Sequence, residues 1–124
     1  MCGIFASLGF SPDRANIEIV SHRGPDGEGW EVFDTRRGPL ALGHRRLAII
    51  DLSDAGHQPM SYEDGRYRLV FNGEIYNYVE LRAELEAAGR VFYTHSDSEV
   101  LIAAYAHWGE SALRRFLGMF AFLI

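Results

Sequence analysis

A chain of 124 residues lies within the size range of one domain, which excludes an enzyme with separate cofactor and substrate lobes. Hydrophobic residues at 48% and charged residues at 23% are ordinary globular values, and a chain of this size buries roughly two-thirds of its unfolded surface. The net charge of -5 argues against a surface that tracks nucleic-acid phosphates, which needs an excess of basic residues. All 12 of those basic residues are arginine, a bias read as codon usage in a GC-rich genome. The single cysteine excludes an internal disulfide, and no charged segment followed by an apolar run opens the chain, so the cytoplasm is the expected compartment. The longest apolar stretches, 47–50 and 119–124, fall far short of the roughly 20 residues that span a bilayer, so no membrane partner is expected.

In chain order, Cys2 to Leu8 reads as a buried strand, closed by Gly9 and by Ser11-Pro12-Asp13. Residues 13–21 allow one or two helical turns, and the polar segment 22–29 reads as a loop that breaks any regular element. Trp30 to Asp34 and Leu40 to Leu52 carry β-branched and aromatic residues between turn signals, which predicts two strands. Arg66 to Asn72 is a third, reached through the Asp64-Gly65 hairpin signal. Tyr78, Leu81 and Leu85 recur at helical spacing, with Asn77 as the N-cap candidate and Gly89 at the C-terminal end. Ser96-Asp97-Ser98-Glu99 matches the capping-box pattern at the start of a second helix, whose apolar face carries Val100, Leu101, Ala104 and Trp108 before Gly109 ends it. Residues 110–116 predict a further short helix, and 119–124 a strand that stops in its middle, from which a fragment of a larger domain is expected.

Four places carry chemistry. Removal of Met1 would leave Cys2 with a free α-amine beside its thiol, a base next to a nucleophile, since an α-amine titrates near neutrality. By itself, the cysteine reads more plainly as a small hydrophobe on a buried strand. Asn72-Gly73 follows a strand, and a side-chain amide with a glycine N–H suits a developing oxyanion, although Asn-Gly is also the commonest hairpin turn. Arg46 either clamps a carboxylate or reaches to the surface like Arg45. Asp97 either pairs with an ammonium group or simply favours the positive end of its helix. Five histidines without helical pairing and a single cysteine give a metal site little support, and no phosphate-binding loop is present.

Seven ordered motifs unite these signals: Met1 to Ile4, His22 to Gly27, Gly43 to Asp51, Asn72 to Asn77, Glu80 to Arg82, Ser96 to Val100 and Gly118 to Phe122. Together they resemble the glutaminase domain of glutamine-hydrolysing asparagine synthetases, a class II glutamine amidotransferase. The resemblance implies an α+β fold, a four-layer αββα sandwich of the N-terminal-nucleophile hydrolase type, with Cys2 on the first strand and the C-terminus truncated. It implies that Cys2 attacks the side-chain amide of L-glutamine, that Asn72 and Gly73 form the oxyanion hole, and that Arg46 holds the α-carboxylate. Asp97 and Glu74 then receive the α-amino group, and the backbone of Leu47, Ala48, Ile49 and Ile50 lines the pocket.

The expected domain assignment is residues 1–124 as the N-terminal part of that amidotransferase domain, without the synthetase domain that normally shares the chain. No cofactor is expected for the glutaminase reaction; ATP and Mg belong to the missing synthetase domain. The ammonia acceptor and the oligomeric state are left open. A non-catalytic module that binds glutamine or a partner is the competing expectation if Met1 is retained, because the α-amine is then an amide.

Overall fold

The computed structural model describes residues 2–50 and 53–124. The expectations for Met1, and for Asp51 and Leu52 at the end of the 40–52 strand, lie outside the described residues. The α+β expectation is met by two three-stranded antiparallel sheets accompanied by helices. The first sheet has the order β1-β3-β2, with β1 Gly3–Leu8, β2 Gly27–Thr35 and β3 Gly38–Arg46. The second has the order β4-β5-β6, with β4 Met60–Tyr62, β5 Tyr67–Ile75 and β6 Gly118–Leu123. Three helices complete the elements used below: α1 Ala15–Glu18, α2 Tyr78–Ala87 and α3 Asp97–Trp108.

Several boundaries differ from the sequence reading. Cys2 precedes β1 rather than lying on it, and only Gly3 of that strand is buried. The strand is an edge of its sheet, so residues 4–7 are half-covered. The loop expected over 22–29 ends early: Ser21–Arg23 forms a 3-10 turn, and β2 begins at Gly27. The predicted 40–52 strand stops at Arg46, after which 47–50 leave the sheet. Strand β4 was not foreseen; it joins β5 through Glu63, Asp64 and Gly65, all at positive φ, as the Asp-Gly signal predicts. The short helix expected over 110–116 is a 3-10 segment, Gly109–Arg114.

Both long helices follow their patterns with one exchange of roles each. Asn77 caps α2 by position only. Its side chain instead donates to Arg115 O at 3.0 Å and accepts from Leu117 N at 2.9 Å, tying the entry of β6 to α2. Ser96 Oγ caps α3 by accepting from Glu99 N at 3.2 Å. Glu99 does not reciprocate: its carboxylate takes the N–H groups of Tyr93 and Thr94 and the Thr94 hydroxyl, at 2.7 to 3.2 Å. The first two turns of α3 are therefore buried on all sides, and not along one face only.

The core lies between the second sheet and the helices, where Leu69, Phe71 and Ile75 of β5 pack with Leu81, Leu85, Val100, Leu101 and Ile102. Each such side chain contributes about 1.5–3 kcal/mol by leaving water. The first sheet approaches the second through β1 and β3 against β5. No described helix is long and apolar enough to cross a membrane.

Candidate active site

The site is built where the chain leaves β3. At that point the 22–26 loop fastens the backbone: Asp26 N donates to Arg46 O at 2.9 Å, and Ala48 N donates to the Asp26 carboxylate at 2.9 Å. Gly24 is required for this approach, because a Cβ there would meet the peptide joining Arg45 and Arg46, with Arg46 N at 2.6 Å. Arg23 Nε donates to Cys2 O at 3.1 Å. The polar loop thus holds both the first residue described and the segment beyond β3.

Cys2 is half-buried, and its sulfur meets one residue twice. Leu47 N donates to Sγ at 3.3 Å, and the Leu47 carbonyl lies 3.7 Å from Sγ. The thiol opens onto a cleft of about 690 Å³, its open mouth included. Around that cleft stand Arg46, Leu47, Ala48, Ile49 and Ile50 from one side, and Gly73, Glu74 and Asp97 from β5 and the start of α3. Nine of the ten residues singled out by the sequence reading, Cys2 included, line this one space. Asn72 does not line it. It sits on β5 between two residues that do, Phe71 and Gly73, and its Oδ1 is buried without a hydrogen-bond partner among the described residues.

Asn72 and Gly73 are not a hairpin turn. They lie inside β5, opposite Ala121 and Phe120 of β6. Gly73 has φ +153, and a Cβ there would meet the backbone of Met119 and Phe120, with Phe120 Cα at 2.6 Å. The glycine is therefore demanded by the neighbouring strand.

Arg45 does not reach freely to the surface as expected. It lies on the central strand of its sheet, and its side chain is 15% exposed between Glu18 and Glu28, with N–O distances of 2.7 and 2.8 Å. Arg46, one residue on, faces the cleft.

Asp97 is buried at the start of α3. Its Oδ2 accepts from Ile75 N at 3.0 Å. Burial pushes its carboxyl above the usual range; the Ile75 N–H and neighbouring amides pull the other way, and nearby Glu74 adds to the rise. Among the described residues no group of three or more His, Cys, Asp or Glu side chains is arranged to hold a metal ion.

Four polar residues of the cleft stand outside the site residues expected from the sequence: His44, Gln58, Ser96 and Ser98. His44 is 1% exposed, and burial lowers its pKa to about 4. Its signal in the sequence is a histidine that follows the apolar run Ala41 to Gly43 and falls inside the Gly43 to Asp51 motif. Gln58 carried no signal, because nothing in a polar loop marks which glutamine turns inward.

The chain as a whole, residues 1–124, matches the glutamine amidotransferase domain family. It is 54% identical over 107 residues to asparagine synthetase [glutamine-hydrolyzing] 1 of Bacillus subtilis, a match covering 86% of this chain and 16% of the relative. It is 41% identical over 143 aligned positions to a putative asparagine synthetase [glutamine-hydrolyzing] of Mycobacterium bovis, covering 100% of this chain and 22% of that one. Amidase chry2 of Gibberella zeae is 40% identical over 111 residues, covering 90% and 16% respectively. The chain thus spans about a fifth of the length of the curated relatives it matches. A match along its entire length, with the expected residues gathered around Cys2, shows that this chain belongs to the glutamine amidotransferase domain family and resembles the glutaminase domain of asparagine synthetases.

Proposed function

We propose that this chain carries out the glutaminase half-reaction of an asparagine synthetase-like amidotransferase. The observation that carries the reading is the position of Cys2 Sγ, held by Leu47 at the wall of the cleft that Arg46, Gly73, Glu74 and Asp97 also line. With Met1 removed, the α-amine takes the thiol proton, and the sulfur adds to the side-chain carbonyl carbon of L-glutamine. Asn72 Nδ2 and the Gly73 N–H receive the oxyanion; donors of this kind are worth about 100- to 1,000-fold in rate each. The place of Asn72 on β5 between Phe71 and Gly73, both of which line the cleft, supports this role.

The α-ammonium group of Cys2 hands that proton to the departing nitrogen as collapse of the adduct breaks the C–N bond, which releases ammonia and leaves a γ-glutamyl thioester. Water then adds to the thioester and returns the proton to sulfur, giving glutamate and free Cys2. Arg46 holds the α-carboxylate in a two-pronged contact, and Asp97 with Glu74 holds the α-ammonium group. The backbone of Leu47, Ala48, Ile49 and Ile50 forms the wall. The ammonia passes to an ATP-dependent synthetase domain, and the reaction takes place in the cytoplasm.

The same reading arranges the elements as a four-layer αββα sandwich of the N-terminal-nucleophile type. Its support is the pairwise packing: α1 against β1 and β3, those strands against β5, and α3 against β4 and β5.

The test is glutamate release from glutamine by the chain with Met1 removed, with removal verified by intact mass. Cys2→Ala abolishes release. Release that survives the substitution overturns the nucleophile assignment. A retained Met1 with no alkylation of Cys2 by a glutamine-analogue electrophile favours a non-catalytic module.

A further inference from the structure

Strand β4 pairs with β5 only from Tyr62 to Met60, opposite Tyr67 to Leu69. Two residues further along β5, Phe71 has lost that neighbour, yet it is buried and both of its backbone polar groups are satisfied. Two side chains stand in for the absent strand. Gln58 Oε1 accepts from Phe71 N at 2.6 Å, and His44 Nε2 lies 3.1 Å from Phe71 O, which requires that nitrogen to donate. His44 comes from β3 in the other sheet, so its bond spans the two sheets. Gln58 is anchored in turn, its Nε2 donating to Ser98 Oγ at 3.2 Å, next to Asp97.

An extension of β4 by two residues, to Gln58 opposite Phe71, would satisfy Phe71 equally well but would fill the space with backbone. Side chains satisfy it and leave the cleft open; both His44 and Gln58 line that cleft. The next two residues of β5 are Asn72 and Gly73.

We propose that His44 and Gln58 are positioning residues, which hold Phe71 by its carbonyl and its N–H respectively and thereby set Asn72 and Gly73 relative to the Cys2 sulfur. The role rests on the glutaminase reading above. It is not one of substrate contact: the binding ends of glutamine fall to Arg46, Glu74 and Asp97. Burial keeps the imidazole neutral, which preserves one donor and one fixed ring orientation across the neutral pH range. A misplacement of donors by about 1 Å costs on the order of 100-fold in rate, so the clamp acts on kcat and leaves KM alone.

The experiment uses the full chain with Met1 removed and compares His44→Leu, His44→Gln, Gln58→Leu and Ser98→Ala. Three readouts are taken: kcat and KM for glutamine hydrolysis, alkylation of Cys2 by iodoacetamide, and protection from alkylation by glutamine. Both leucine variants are expected to lose about 100-fold in kcat, with KM, alkylation and protection unchanged. In His44→Gln, the amide places its nitrogen where Nε2 stood, and most of kcat returns. A leucine variant that fails to fold is replaced by Ser98→Ala, which frees Gln58 without touching the apolar core and is expected to lower kcat several-fold.

Unchanged kcat in every folded variant, a rise in KM alone, or a His44→Gln chain as impaired as His44→Leu overturns the positioning role while leaving the glutaminase reading intact. A parent chain with no Cys2-dependent turnover overturns both.

Discussion

Replacing Gly73 by alanine tests whether one residue serves both the sheet and the site. At φ +153 an L-residue is strained, a penalty of about 1–3 kcal/mol. The new Cβ would also meet Met119 O, Phe120 Cα at 2.6 Å and Phe120 Cβ at 2.9 Å. All three of these atoms are backbone or its first carbon and cannot rotate away, so β6 must shift outward, and two ladder hydrogen bonds at about 1 kcal/mol each are lost with it. Alanine restricts the unfolded chain, which offsets roughly 0.4–1 kcal/mol. The net expectation is a loss of about 3 kcal/mol, a large share of the roughly 5–15 kcal/mol of a typical domain. Urea unfolding followed by far-ultraviolet circular dichroism gives the stability, and glutamine hydrolysis gives the activity, expected to fall about 100-fold with the displaced N–H. A loss below about 1 kcal/mol with turnover intact would refute both the close approach of β6 and the use of this N–H in the reaction.

Three further outcomes are expected. Neutral His44 has a folded pKa of about 4 against an ordinary 6.5, so its contribution is complete above the unfolded value and is lost as pH falls toward 4. Urea midpoints between pH 4 and 7 should show up to about 3 kcal/mol of this dependence; an identical pH profile in His44→Gln would sink the assignment. Asp97 has its folded pKa raised by burial, so its ionised form costs stability at neutral pH; Asp97→Asn is expected to melt no lower than the parent at pH 7 while raising KM for glutamine, and a lower melting temperature contradicts the argument. Leu101 is fully buried in the core; Leu101→Ala should lower the unfolding free energy by about 3 kcal/mol, measured by urea titration.

The helices were legible because their signals are local. Ser96 and Gly109 bracket α3, and Gly89 follows α2, each through hydrogen bonds or dihedrals within a few residues. The Asp64-Gly65 hairpin was legible for the same reason. The end of β3 was not. Residues 47–50 are as apolar as the strand before them, and what turns them away is a contact with Asp26 that lies 22 positions earlier in the chain. Asn72-Gly73 has the composition of a turn, and only the partner strand β6 makes it the interior of β5. The site residues stand out through ordered motifs rather than through periodicity, and those motifs miss Gln58 because its task is defined by the backbone N–H of Phe71. Backbone partners leave no trace in side-chain pattern.

The double contact between Cys2 and Leu47 has a consequence for proton movement. A thiol uses the Leu47 carbonyl as acceptor; a thiolate uses the Leu47 N–H as donor, and both partners already stand within reach of a stationary sulfur. Losing or regaining the proton exchanges one partner for the other on the same residue, with no side chain required to turn. Reorganisation, which a solvent-exposed thiol would meet by moving water, is reduced here to a change of emphasis between two fixed dipoles. In the proposed reaction each cycle of acylation and hydrolysis passes through both forms of the sulfur, so a residue with no reactive group of its own, placed by the exit from β3, sets how far the atoms must travel.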